Sequence, residues 1–435
     1  MGREVQACLR FDKRITLLGA GVDASHHLAD LYQEFFELPV VTDPGFQSSF
    51  TSLLNHVKPD IIYPTHDDFL RWLIDQEGEE IVSRVVFPGV PFARVALDKH
   101  LTYSTFRAKP WVPSYFELNE LEKLGVPFPL FLKPKRGQGA NGAFLAIDQA
   151  EIYRQLSEFN VTDFSTYVAC EYLPGREYTI ELVSNKVGNI VYLSARERAI
   201  IRSGLAVHTR LVELPGAEVI AQEISITLSP IGAWFIQLRE DNQGRLKLLE
   251  IGARQPGGSA LSRARGANLA ALSYLVRLGP VQAPVVNPSI TNVSRSESDE
   301  IFTNSIPLPT QAFFDLDDTL LDTFGNVNQQ VLASLNFLVE KRVSVTIITR
   351  HTGNPHHQLE RLGLVGKVML EHLTNGENKA QYIPPSPAGT TLFVDDSYRE
   401  RLAVRKLHPQ AIVLPPESIE LIRWKLKAKT QVLST

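Results

Sequence analysis

Apolar and polar residues alternate along the chain in blocks that predict short strands followed by amphipathic helices. Residues 14–23 read as a strand running into a loop, 24–36 as a helical pattern, and 60–65 as another short strand. Strands alternating with helices predict a parallel α/β sheet. His66, Asp67 and Asp68 follow the second strand, where open α/β sheets place ligands, although they serve equally well as polar caps of the next helix. Gly19-Ala-Gly21 lacks the third glycine of a dinucleotide fingerprint, and a pair of glycines does not define one.

Farther along, the pattern shortens toward period two. From Phe128 to Ala146, two strand-like runs flank a loop of Gly, Lys, Arg, Gln and Asn. Gly137, Gly139 and Gly142 let the backbone approach a phosphate, and Lys133 and Lys135 add positive charge. No Gly-Lys-Ser/Thr opens a following helix, so this is not a Walker loop, and a flexible hairpin is the alternative. Residues 167–183 predict a strand, a Pro-Gly turn and a second strand, forming a hairpin. Glu177, Thr179 and Glu181 would share one face of it. If covered, the two carboxylates need cations or hydroxyls as partners; if open, they are solvated.

The run Trp234-Phe-Ile-Gln-Leu-Arg239, the turn Asp241-Asn-Gln-Gly244 and the strand ending at Glu250 predict an antiparallel pair. Gln237 and Glu250 would then lie on neighbouring strands, an oxygen pair suited to Mg2+, with Arg254 offering a planar fork to an anionic oxygen. A surface hairpin with a solvated Glu and Arg is the other reading. Residues 199–214, with Arg202, His208 and Arg210, would either face an anionic acceptor or form a solvated loop.

Composition narrows the function classes. At 435 residues, with 44% hydrophobic and 21% charged residues, the chain is expected to be globular with two to four domains. A net charge of -4 carries no basic footprint, so nucleic acid is not indicated. The sequence shows no membrane-length apolar stretch and no signal peptide, which predicts a cytoplasmic protein. Cys8 and Cys170 are the two cysteines, which excludes a disulfide framework and a thiolate zinc site and leaves both as packing residues.

The order Asp98-Lys99 at a helix start, the Phe-Leu-Lys-Pro strand, the Gly-rich loop, Glu171-Tyr-Leu-Pro-Gly-Arg-Glu-Tyr-Thr-Ile-Glu181 and Leu248-Leu-Glu-Ile-Gly-Ala-Arg-Gln-Pro-Gly-Gly258 resembles the ATP-grasp superfamily over residues 14–280. It is most similar to carboxylate–amine ligases related to carbamoyl-phosphate synthase and the dipeptide ligases. The resemblance implies that Lys99 and Lys133 contact ATP and that the loop 136–142 closes over its phosphates. Glu171, Tyr172 and Leu173 would line the adenine pocket, with Glu177 at the ribose. Gln237 and Glu250 would hold Mg2+, and Arg254 would stabilise an acyl-phosphate or the carboxylate substrate. Two departures stand out. Many members carry Asn two residues after the metal-binding Glu, whereas Gly252 stands here, so one metal is held differently or only one binds tightly. Members also begin with an extra strand and glycine-rich turn, so the chain is expected to start late or to carry a trimmed sheet.

Residues 283–311 lose apolar periodicity and read as an interdomain linker containing Glu297-Ser-Asp-Glu300. Then Ala312-Phe-Phe-Asp-Leu-Asp-Asp-Thr-Leu-Leu321 predicts a strand delivering Asp315 and Asp317 to its end. Two further strands end at Thr349 and at Asp395-Asp396, and Lys379 begins a helical run. This set resembles the haloacid dehalogenase (HAD) phosphatases over about residues 311–415. The resemblance implies Asp315 as nucleophile, Asp317 as acid/base, Thr349 and Lys379 as phosphate binders, and Asp395 with Asp396, together with Asp315 and Asp317, as the Mg2+ side. His351, His356 and His357 are expected to be solvated.

The expected architecture is therefore multidomain α/β. A pre-ATP-grasp α/β domain (1–107) and an ATP-grasp domain of two α+β lobes (108–282) are followed by a linker (283–310) and a capless, Rossmann-like HAD domain (311–435). The expected activity is an ATP- and Mg2+-dependent ligase joined to a Mg2+-dependent phosphatase. Its partners would be a small carboxylate, an amine and a phosphorylated substrate, with a homodimer in keeping with related ligases. The alternatives are an ATP-dependent phosphotransferase beside the phosphatase, or a ligase beside a non-catalytic HAD-like interaction module.

Overall fold

In the computed structural model, residues 2–425 are described apart from 13, 25–28, 77–79, 119–120, 122–124, 203, 296–300, 304, 375 and 386–390. The chain divides into two compact units. The first comprises Met1–Gln6, Leu18–Ser259 and Leu269–Ala283, and the second Ala7–Leu17, Ala260–Asn268 and Pro284–Thr435. No helix among the described residues is long and apolar enough to cross a membrane.

The first unit opens with two short parallel strands, β1 (Gly19–Gly21) and β2 (Phe35–Glu37). The helix expected over 24–36 is not formed as such: Ala29–Leu31 is a single 3-10 turn and Phe35–Glu37 is a strand. Tyr32 and Phe35 pack their rings 6.1 Å apart beside Gly19, so aromatic packing outweighs the helical spacing. Positions 25–28 of that pattern lie outside the described residues. Instead of a full strand over 60–65, Ile62 makes one parallel bridge to Val85. His66 caps the helix Asp67–Ile74, its side chain accepting from the Asp68 N–H.

A four-stranded antiparallel sheet follows, built from β3 (Tyr115–Glu117), β4 (Leu130–Pro134), β5 (Phe144–Ala146) and β6 (Tyr167–Glu171) in the order β3-β6-β4-β5. Its core joins Leu130, Leu132, Phe144 and Ala169 to Ile152 and Leu156 of the helix Gln149–Glu158. A larger antiparallel array runs β11-β10-β7-β8-β9, from β7 (Glu177–Ser184), β8 (Ile190–Arg202), β9 (Leu205–Leu211), β10 (Gly232–Glu240) and β11 (Leu246–Gly252). One face is apolar: Ile180, Leu182, Trp234, Ile236 and Ile251 pack with Phe92, Leu70 and Leu73 into a common core. Trp234 is fully buried, edge-on to Phe92, and donates from Nε1 to the Ser184 hydroxyl at 2.9 Å.

The hairpin expected at 167–183 is corrected. β6 and β7 belong to different sheets, and the Pro-Gly segment connects them. Gly175 is drawn to β10 instead, its N–H donating to the Glu240 carbonyl at 3.0 Å and its carbonyl accepting from Arg239 Nε at 3.1 Å. Residues 199–214, read as acceptor-facing or loop, are mostly the paired strands β8 and β9.

In the second unit the stretch expected as a linker carries three short strands: β12 (Asn292–Arg295), β13 (Ile301–Thr303) and β14 (Ser305–Pro307). β12 pairs with β13, and β14 pairs with β20 (Arg423–Lys425), so non-local partners supply order that local periodicity lacks. The sequence Glu297-Ser-Asp-Glu300 lies outside the described residues. The main sheet is parallel and five-stranded, with β15 (Gln311–Phe314), β16 (Ser344–Thr349), β17 (Met369–His372), β18 (Thr391–Val394) and β19 (Ile412–Leu414) in the order β17-β16-β15-β18-β19. The direction of winding changes at β15, and the C-terminal ends beside such a switch are where open α/β sheets bind ligands.

Candidate functional site

Two polar sites arise, one in each unit. In the first, strand register does the positioning. β10 and β11 pair as anticipated, with Gln237 opposite Glu250, and Gln237 also faces Thr179 of β7, which faces Arg196 of β8. The turn joining β10 to β11 is held by Asp241, which accepts from the Gln243 and Arg245 N–H groups at 2.9 Å, while Gly244 takes φ +75°. Alternate residues of β7 put Glu177, Thr179 and Glu181 on the same face, and cations of β8 and β10 meet them. Arg196 pairs with Glu181 at 2.8 Å with both side chains buried, and Arg198 and Arg239 approach Glu177 at 2.9 and 3.7 Å. The covered-face alternative is the one realised. Glu177 is thus engaged by two arginines, and burial followed by this carboxylate sets the Arg198 pKa, with a net lowering.

Lys133 is buried, its Nζ donating to the Tyr103 hydroxyl at 2.6 Å and to the Leu249 carbonyl at 3.1 Å. Tyr103 donates to the same carbonyl at 2.7 Å. Burial lowers the Lys133 pKa, against the opposing pull of Cys170 and Glu250. Lys133 thereby ties the small sheet to β11, the strand that carries Glu250.

The Gly-rich loop is anchored residue by residue. Lys135 pairs with Glu117 at 2.8 Å, Arg136 with Asp98 at 3.1 Å, and the Gly137 carbonyl accepts from Lys99 Nζ at 3.0 Å. Lys135, expected beside a phosphate, is therefore neutralised by its neighbour on β3. Gln138 meets His66 and accepts from Arg254 Nη2 at 3.1 Å, and Arg254 is also paired with Asp67. Gly139, Ala140 and Gly142 all have positive φ, and a Cβ on Gly204 of the β8–β9 turn would meet the Gly139 carbonyl at 2.7 Å. The link from Arg254 to Asp67 and Gln138 joins three stretches that are distant in sequence, and no local pattern pointed to it.

Glu171 accepts from the Ser114 N–H at 2.8 Å, so its carboxylate braces the chain before β3; Tyr172 is exposed and Leu173 is buried. Among the described residues, neither Gln237 nor Glu250 has a side-chain hydrogen-bond partner. Facing oxygen donors of this kind fit a hard divalent cation that keeps several waters.

In the second unit Asp315 follows β15, and Asp395 and Asp396 follow β18, which lies beside it. Oxygen atoms of Asp315, Asp395 and Asp396 lie within 4.8 Å of one another. Lys379 Nζ reaches both Asp315 and Asp395 at 2.7 Å. Burial and then the neighbouring Asp395 push Asp315 well above the ordinary carboxylate range, and burial likewise raises Asp395. Asp396, at the exposed mouth, is pushed up to about 6 by desolvation and then by Asp395 and Asp318. Burial depresses the Lys379 ammonium, but Asp395 and Asp315 more than offset this, and its pKa is raised. Carboxylates crowded until they resist ionisation are a donor set that a divalent cation suits.

Asp317 was expected on the metal side together with Asp315, and its carboxylate is not in this cluster. The strand ends at Phe314, Asp317 bridges to Leu321 and Asp318 takes φ +60°, so the i, i+2 rule for extended chain no longer applies. Instead, Asp317 Oδ1 lies 2.8 Å from His351 Nδ1. The expectation of a solvated His351 is likewise corrected. Its side chain is 17% exposed, its N–H donates to the buried Thr349 hydroxyl at 3.0 Å, and its carbonyl contacts His372 Nε2 at 2.9 Å. His356 and His357 are exposed on the helix Pro355–Arg361.

Comparison with known proteins bears on the ATP-grasp resemblance. A family model described as ATP-grasp in the biosynthetic pathway with Ter operon matches residues 163–298. A D-alanine–D-alanine ligase of Thermotoga maritima is 25% identical over 191 residues, 43% of this chain and 58% of that enzyme. The match thus spans little more than half the length of such a relative. Among solved structures, the biotin carboxylase domain of Hydrogenobacter thermophilus 2-oxoglutarate carboxylase, a dimer with MgADP, ADP and bicarbonate, has a TM-score of 0.54 at 16% identity, covering 67% of this chain and 71% of that one. N5-carboxyaminoimidazole synthetase of Staphylococcus aureus with ADP scores 0.54 at 14% identity, covering 68% and 80%. L-amino acid ligase of Bacillus licheniformis scores 0.52 at 16%, covering 67% and 77%. By sheet order, strand register and these likenesses, the chain carries an ATP-grasp fold.

Proposed function

We propose that the chain is a bifunctional enzyme, an ATP- and Mg2+-dependent carboxylate–amine ligase fused to a Mg2+-dependent phosphatase of the HAD type. The observation that carries the first half is the pairing of Gln237 with Glu250 on a strand pair that leads to Arg254, within an ATP-grasp fold. In this reading Lys99 and Lys133 hold the nucleotide phosphates, the loop through Gly137, Gly139 and Gly142 covers them, and Glu171, Tyr172 and Leu173 flank the base, with Glu177 at the ribose. Gln237 and Glu250 hold Mg2+, which when bound offsets charge on the phosphoryl oxygens. Arg254, oriented by Asp67 and Gln138, stabilises the anionic oxygen of an acyl-phosphate, whose carbonyl an amine then attacks with loss of phosphate. A small carboxylate and an amine are the substrates. The ligases named above and the dimeric carboxylase domain support this reading, including a paired assembly.

For the second half, the support is the three-carboxylate cluster around Lys379 at the end of a parallel sheet. Asp315 attacks phosphorus, and Asp317, held by His351, protonates the leaving oxygen. Thr349 and Lys379 flank the transferred phosphate. The proposed domains are those set out above, 1–107, 108–282 and 311–435, joined through 283–310.

The test is ATP consumption by the full chain with Mg2+ against mixed carboxylates and amines, following ADP, AMP and phosphate separately. ADP release that needs both substrates is expected. Release with neither would favour phosphoryl transfer to another acceptor and sink the ligase reading. Phosphate release from a generic phosphoester that survives Asp315→Asn would remove the phosphatase assignment.

A further inference from the structure

We infer that the nucleotide face holds one divalent cation, between Gln237 and Glu250, and that Phe235 closes the adjoining position to a second. The inference rests on the nucleotide-binding reading above. Side chains recur on one face of a strand every second residue, so position 252 follows Glu250 on the polar face and Phe235 precedes Gln237 on it. The two positions are also register partners, Phe235 opposite Gly252. A Cβ on Gly252 would lie 1.9, 2.2 and 2.5 Å from carbons of the Phe235 ring, so the ring occupies the space into which any side chain there would project. These carbons belong to a ring packed between strands, with the Arg254 guanidinium 5.6 Å from its centroid. A cation placed on that side would meet an apolar surface backed by a fixed positive charge.

The opposite direction is closed as well. From Gln237 the row continues to Thr179 and then Arg196, a hydroxyl and a buried cation. The remaining carboxylates of the face are taken, Glu181 by Arg196 and Glu177 by Arg198 and Arg239. Among the described residues, the three-ligand acidic group is Asp315, Asp395 and Asp396, in the other unit. The nucleotide face therefore offers one carboxylate not held by an arginine, Glu250, beside the neutral oxygens of Gln237 and Thr179, enough for a single Mg2+ completed by phosphate and water. A second ion would find no protein carboxylate to balance it.

Mn2+ serves as the probe, measured on the full chain by electron paramagnetic resonance with and without a non-hydrolysable ATP analogue. The difference isolates the nucleotide-dependent ions from those of the second unit. One additional Mn2+ per bound nucleotide, without spin coupling to a neighbour, is expected. Two coupled ions per nucleotide would overturn the inference while leaving the nucleotide site intact. Absence of nucleotide binding would overturn the underlying reading and this inference with it. Phe235→Ala combined with Gly252→Asp, which clears the ring and supplies a carboxylate, checked for folding by thermal melting, should admit a second coupled Mn2+ and double the nucleotide-dependent count. A folded double variant that still holds one ion would show that Phe235 is not what closes the position.

Discussion

The two polar sites handle clustered negative charge in opposite ways. On the face of β7, β8 and β10 the buried acids are matched by the protein itself: Glu181 has Arg196, and Glu177 has Arg198 and Arg239. Gln237 and Glu250, among the described residues, have no side-chain hydrogen-bond partner, although the Glu250 charge acts on Lys133 and Arg198. In the second unit three carboxylates converge on one ammonium, and their pKa values rise first because they are buried and then, for Asp315 and Asp396, because of neighbouring carboxylates that one Lys379 does not offset. The first face is organised without a ligand, since its charges are in place before anything binds. The second stores electrostatic repulsion that a bound cation relieves. The difference predicts that the acid cluster, more than the face of β7, β8 and β10, responds to metal and to pH.

Removing Asp315 tests the comparison most severely. Asp315→Asn should lower phosphate release from a phosphoester by at least about a thousandfold, as loss of a covalent nucleophile does, while ATP turnover stays unchanged. Loss of both activities would mean that the two sites are not separate. Next is the pre-matched charge of the nucleotide face. Arg196→Ala removes the guanidinium from the buried Glu181 carboxylate and should cost about 3–5 kcal/mol, whereas replacing both residues by apolar ones should restore most of the melting temperature. If the single variant melts as wild type does, the face is not held by that pair. Glu250→Ala should reduce ATP turnover by about 10²–10³-fold, the scale of lost electrostatic stabilisation, and spare the phosphatase.

A smaller effect is expected at His351. His351→Ala should lower phosphatase kcat by about tenfold, less than the ~10²–10⁴-fold of a general acid itself because His351 acts through Asp317, with partial recovery in His351→Asn, which keeps a hydrogen-bonding group near Asp317. The gentlest test uses pH. Asp396 is raised to about 6, so its contribution to metal-free stability is present below the ordinary carboxylate value and is lost as pH rises through about 6. Without Mg2+ the second unit should melt lower at pH 7.5 than at pH 5. The increase in melting temperature on adding Mg2+ should be larger at pH 7.5, because protons no longer compete for Asp396. A Mg2+ shift that is flat across this range would show that Asp396 does not hold the ion.

Much of this was legible in the chain itself. Period-two alternation through Glu177, Thr179 and Glu181, the tight turn 241–244 and the apolar runs on either side were enough to put Gln237 and Glu250 on neighbouring strands, whereas a register shift between Gln237 and Leu238 sets them directly opposite. The strands that lead to Asp315, Thr349 and Asp395 were readable for the same reason: each is a short apolar run that gives way to a polar residue. Local pattern failed where the partner was remote. The segment around the Pro-Gly turn looked like a hairpin, but Gly175 is bonded to β10, and the stretch read as a linker gains strand order from β20.

What the sequence by itself determined, then, is the set of elements and the residues that end them, since periodicity and turn chemistry act over a few neighbours. The tertiary structure alone decided which charges meet. Arg254 with Asp67, Lys133 with the Leu249 carbonyl, and His351 with Asp317 are separated by 187, 116 and 34 positions. The same holds for the Phe235 ring over Gly252. The glycine looked like a missing ligand in the sequence, and only the packing of two strands showed that a side chain has no space there. Contacts of this kind depend on how elements pack in space, which local preference along the chain does not encode.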